Sequence, residues 1–192
     1  MKKMVNVSRI KRVNLKKQAG ISNIQIMVGV LISAILILGG MGMMRYIDKS
    51  KVNNDLNELS EYKAATVSYG SKHGGTFAGF TQELAVGLDF FNPNRVSGAV
   101  GSRLVQNQWK GDVTVQPATV NIANDALVFT FTGVPSSACK DTVMQAGNVA
   151  AKILIGATTV KTSAVTPVDE AATVTACDAA ADNASISYSM TK

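Results

Sequence analysis

Few residues in this chain are equipped for chemistry. His73, in GSKHGG, is the one histidine among 192 residues. It is therefore the only imidazole a Ser-His-Asp arrangement could use, and no neighbour in sequence orients it. A solvated position in a glycine-rich loop accounts for it. Cys139 and Cys177 are the only thiols. Together with His73 they are spaced like no known zinc pattern, so no metal is expected. Asp169 and Glu170 could in principle divide acid and base work, but side by side in a loop they read as solvated. Trp109, in NQWKGDVTV, reads as a core or strand-edge aromatic rather than a ligand platform. GTFAGF lacks the Gly-Lys-Ser/Thr that completes a phosphate loop. The residues thus point to no cofactor and no enzyme.

The chain's polarity is divided more sharply than its chemistry. Residues 1–20 carry Lys2, Lys3, Arg9, Lys11, Arg12, Lys16 and Lys17 and no acid. The whole chain has 19 basic and 13 acidic residues, so the remainder is close to neutral. The basic charge belongs to this leader and is no argument for nucleic acid binding. From Gln18 to Met44 no side chain ionises. As a helix, residues 21–44 would span roughly 36 Å, enough for a bilayer core of about 30 Å. Positive charge before such a segment predicts a cytoplasmic N-terminus and an exported remainder. In an oxidising compartment Cys139 and Cys177 are expected to pair, with two free buried thiols as the alternative.

Residues 45–69 continue the helix with a different pattern. Val52, Leu56, Leu59, Tyr62 and Val67 fall near helical spacing, while Asp48, Lys51, Asn54, Asp55, Asn57, Glu58 and Glu61 occupy the other sides. Nothing between Met44 and Lys49 stops a helix. The expectation is one helix from about Ile21 to Tyr69, apolar in its first half and amphipathic in its second. Gly70, Gly74 and Gly75 then end it. Inside it Gly39, Gly40 and Gly42 each weaken the helix by about 1 kcal/mol. They serve either tight packing or stretching.

Residues 70–192 read as a globular head. A short helix is expected around Thr81–Leu88, strands at DVTVQPATV, ALVFTFTGV and ISYSM, and a helix over SSACKDTVMQAGNVAAKIL capped by Ser136 or Ser137. The fold class is α+β: a long N-terminal helix packed on an antiparallel sheet, with a C-terminal region bounded by the cysteines.

A basic leader ending in glycine, an apolar helix, an amphipathic continuation and a sheet domain with two late cysteines resemble the type IV pilins. The leader of about twenty residues, VPSSACKDTV, TACDAAADNASISYS and QWKGDVTV are similar to the type IVb branch, which includes toxin-coregulated, bundle-forming and plasmid thin-pilus pilins. The resemblance implies that a prepilin peptidase cuts between Gly20 and Ile21 and N-methylates Ile21. It implies an inner-membrane precursor lodged in the lipid bilayer with a periplasmic head. Inner-membrane pilus assembly machinery would then build an extracellular homopolymer through the helix, serving adhesion or conjugation.

Two positions depart from the family: Ile21 is unusual as the first mature residue, and the fifth differs as well. The fifth mature residue is usually Glu and here is Gln25. Gln25 can accept a hydrogen bond but brings no charge to balance a neighbouring N-terminal ammonium. Ser22, Asn23 and Gln25 instead form a polar start that can satisfy the first free N–H groups of the mature helix. The alternatives are a minor pilin or pseudopilin of the same machinery, and a single-pass anchored periplasmic binding domain that never polymerises.

Overall fold

Every second residue of ALVFTFTGV is apolar, and in the folded chain that alternation becomes one face of a sheet. The computed structural model describes the backbone of residues 23–192 and the side chains of residues 48–192. The expected leader, the Gly20–Ile21 junction and the side chains of Gln25, Gly39, Gly40 and Gly42 lie outside the described residues. Among the described residues no helix is long and apolar enough to cross a membrane, and the side chains of the apolar segment 21–44 are not among them.

The helix α1 covers Asn23–Lys72. It ends three residues beyond the expected Tyr69 and passes through Gly70. Gly74 and Gly75, both with positive φ, turn the chain away after it. The part of α1 from Met44 onward belongs to one compact unit, Met44–Lys192. Within that unit come α2 (Gln82–Gly87), a 3-10 turn (Pro93–Arg95), β1 (Val96–Ser97), β2 (Leu104–Gln106), β3 (Asp112–Ala118) and β4 (Ala126–Val134). The chain continues through α3 (Ser136–Ala146), β5 (Lys152–Ile155), β6 (Thr158–Lys161), α4 (Glu170–Ala179) and β7 (Ala184–Thr191).

The seven strands form one antiparallel sheet in the order β1-β2-β3-β4-β7-β5-β6. Register places Val113 beside Phe131, Val115 beside Phe129, Phe129 beside Tyr188 and Phe131 beside Ile186. All six of these side chains are buried. On the opposite face Thr130 and Ser187 pair through their hydroxyls at 2.9 Å. Into the apolar face α1 sets Tyr62. Its ring stacks on Phe129 with centroids 5.0 Å apart and meets Phe91 edge-on at 5.2 Å. Burying one such aromatic stabilises the fold by about 2–3 kcal/mol before any gain from ring geometry.

The buried stripe of α1 differs from the one its hydropathy suggests. It runs through Val52, Asp55, Glu58, Leu59, Tyr62 and Thr66, while Val67 is exposed. Thr66 is tolerated because its hydroxyl donates to the Tyr62 carbonyl one turn back, at 2.7 Å. Further elements differ from expectation: the 3-10 turn and strands β1 and β2 have no expected counterpart, and the region from α3 to α4 is organised differently. The helix α3 ends at Ala146, and KILI is strand β5. Pro135, not a serine, holds the cap position of α3. Strands β5 and β6 form a hairpin around Gly156, and α4 was not foreseen. Asp169 and Glu170 are both exposed, as expected, but only Asp169 lies outside a helix. Asp169 caps α4 through the Ala172 N–H at 2.9 Å, and Glu170 opens its first turn, where a negative charge suits the helix dipole.

Candidate functional site

Two places in the head gather chemistry-bearing residues. The first lies where α1 meets the turn before β3. Asn107, 2% exposed, builds that turn: its Oδ1 accepts from the N–H groups of Trp109 (2.9 Å) and Gly111 (3.0 Å), and its Nδ2 donates to the Thr132 carbonyl (2.7 Å). Gly111 passes so close to β4 that a Cβ there would collide with the Thr132 carbonyl, so no other residue fits. The turn delivers Trp109 to the helix. Its indole N–H donates to Asp55 Oδ2 at 3.0 Å, and the Lys51 ammonium stands 4.7 Å from the ring centroid.

Asp55 is 1% exposed. One turn on, Glu58 accepts from Arg95 at 2.8 Å and from Gln108 Nε2 at 3.4 Å through Oε1, and from the Tyr62 hydroxyl at 3.4 Å through Oε2. Arg95 is thus bonded to Glu58 and reaches Asp55 only through its charge. Burial, and after it the charge of Glu58, push the Asp55 carboxyl up to about 6 from 3.8; the Trp109 hydrogen bond, the Gln108 backbone and Arg95 pull the other way and lose. Burial and Glu58 likewise raise Tyr62, and burial and Asp55 raise Tyr188. Neither Asp55 Oδ1 nor the Tyr188 hydroxyl has a hydrogen-bond partner among the described residues. Outside Glu58 and Arg95 lies an open polar pocket of about 570 Å³. Asp55 itself is sealed from that pocket, and the cluster fastens the 107–111 turn to α1.

The second place is the pair α3–α4. Cys139 and Cys177 are bonded, with Cα atoms 5.8 Å apart and 38 residues of separation, and both are fully buried. Lys140 and Asp178 add an ion pair at 2.6 Å on the surface beside them. Lys161 closes the C-terminal end of α3 by donating to the Gly147 carbonyl at 2.5 Å, which gives this buried ammonium a partner. Thiols joined in this way are not zinc ligands. Among the described residues no His, Cys, Asp and Glu group is arranged to hold a metal ion. His73 sits just past the end of α1, its ring stacked on Tyr69 at 3.9 Å and its Nδ1 donating to the Tyr69 carbonyl at 2.9 Å.

Reading the sequence alone misses the Asp55 cluster. The available signal is spacing: Val52, Asp55, Leu59, Tyr62 and Thr66 are a regular one-face helical series, and Asp55 lies on it despite its charge.

Residues 57–191 match the family profile described as PilS N terminal. A search of curated proteins finds no match. Among solved structures the chain resembles the crystal structure of a type IV b pilin from Salmonella typhi. The identity is 19%, the TM-score 0.57, and the match covers 73% of this chain and 99% of that one. At that identity the likeness speaks for the fold.

Proposed function

Since the chain belongs to the PilS family and is a type IVb-like pilin, we propose that it is a structural subunit polymerised into a type IV pilus through its N-terminal helix. The family match over residues 57–191 carries this reading. The apolar run of residues 21–44 and the lysine-rich prefix before it support it further. In this account a prepilin peptidase removes residues 1–20 and methylates the new amine of Ile21. The freed segment anchors the subunit in the inner membrane and later packs in the filament core, where Gln25, Gly39, Gly40 and Gly42 meet neighbouring helices. Residues 45–69 and 70–192 stay outside as the head. The role is one of assembly rather than catalysis. Gln25, which brings no carboxylate to the filament core, favours the minor-pilin version as a second reading. Copy number in the filament separates the two.

Changing Gly20 tests the proposal. The scissile peptide must lie extended in the peptidase, and a bulky charged side chain at residue 20 obstructs it. With Gly20→Glu the uncut chain is expected to accumulate in the inner membrane, with no surface filaments containing it. Filaments built from chains that still carry residues 1–20 would contradict the reading.

A further inference from the structure

The Asp55 cluster raises a question that pilus assembly does not answer. A helix that needs only to pack on a sheet does better with leucine at this position, because a buried carboxylate without full pairing is costly. Asp55 is nevertheless placed on the buried stripe, one turn before a second carboxylate, and its Oδ1 has no partner among the described residues.

We propose that Asp55 is an internal proton-binding site that works as a latch: protonated, it tightens the hold of α1 on the 107–111 turn, and ionised, it loosens that hold.

The groups facing it, element by element, give this its sense. From α1 come Glu58, whose charge opposes ionisation of Asp55, Lys51 over the Trp109 ring, and the Tyr62 hydroxyl on Glu58. From the 3-10 turn comes Arg95, bonded to Glu58 and not to Asp55. From the turn before β3 come the Trp109 N–H and the Gln108 backbone, which favour the ionised form but are outweighed by burial and Glu58, and from β7 the buried Tyr188 hydroxyl, whose titration Asp55 influences. When Asp55 is ionised, its charge lies near that of Glu58 while Arg95 is bonded to Glu58 alone, and its Oδ1 has no hydrogen-bond partner among the described residues. When it is protonated, Oδ2 still accepts from Trp109. The repulsion with Glu58 vanishes, and the buried site no longer carries an uncompensated charge. A carboxyl whose folded pKa lies above its unfolded one binds its proton more tightly in the folded chain. Its contribution to stability therefore grows as pH falls through about 6 toward 3.8, and is lost as pH rises back through about 6.

Trp109 is the one tryptophan of the chain, so its emission reports the latch directly. In the full chain in detergent micelles, Trp109 emission is expected to titrate once between about pH 4.5 and 7.5, near pH 6. Asp55→Asn, which keeps the shape and an acceptor for the indole, flattens the curve. Glu58→Gln moves the midpoint down, and His73→Gln, which removes the only imidazole, leaves it unchanged. Exchange of the Trp109 and Gly111 amides, corrected for its intrinsic pH dependence, slows at least about fivefold from pH 7.5 to 5 in the wild type and not in Asp55→Asn. A flat wild-type emission curve, a titration that survives Asp55→Asn, or amide exchange that does not respond to pH overturns the proposal.

Discussion

The head fastens the two flanks of its sheet in opposite ways. Residues 135–180 form one flank through α3, β5, β6 and α4, and the Cys139–Cys177 bond ties the two helices beneath the surface. Residues 89–111, on the other flank, are tied to α1 by Asp55, Glu58, Arg95 and Trp109, with no covalent link. A disulfide acts mainly by limiting the unfolded chain, so its effect barely varies with pH and vanishes on reduction. A buried charge cluster acts through the folded state alone, so it ignores reductant and follows proton concentration. The same sheet is thus held on one flank by a redox-sensitive bond and on the other by a pH-sensitive one.

The largest effect belongs to the covalent side. Replacing Cys139 and Cys177 together by alanine is expected to cost about 4 kcal/mol, as the chain-entropy value for a loop of this length. Denaturant unfolding at two pH values checks it: the loss is similar at pH 5 and 7.5. A loss confined to one pH would erase the contrast between the flanks.

The second effect comes from Arg95→Ala, which leaves Glu58 and Asp55 facing each other without their guanidinium. The pair is mostly rather than fully enclosed, with 17% and 12% of the two side chains exposed, so a cost of about 2–3 kcal/mol is expected rather than the full buried-pair value. The loss shrinks as pH falls below about 6, where Asp55 is neutral. An equal loss at pH 5 and 7.5 would mean that the cluster does not respond to protons.

These contrasts also explain which parts of the fold could be read from the sequence. Strand β4 was legible because a nine-residue run of alternation has one interpretation, and the matching burial of Leu127, Phe129 and Phe131 follows from it. The pairing of the cysteines followed from the inferred compartment. The hairpin β5–β6 was hidden because its strands are four residues each, and KIL continued the periodicity of the helix before it. Helix α4 is rich in Ala and Thr and has little apolar rhythm; its start was marked only by Asp169 following Pro167. The Asp55 cluster was least visible. Hydropathy assigns a carboxylate to solvent, and what permits its burial is an indole 54 residues away in sequence. Residues that depend on a distant partner carry little trace of that dependence locally.

In the proposed function, the place of this head in the cell depends on residues 1–44. The most direct test of the whole account is therefore the intact mass of this chain recovered from sheared surface filaments, before and after reduction. The account predicts a chain beginning at Ile21, one methyl group heavier at its amine, that gains two hydrogens when Cys139–Cys177 is reduced. A chain still starting at Met1, or one recovered only as a soluble body without residues 21–44, would contradict it.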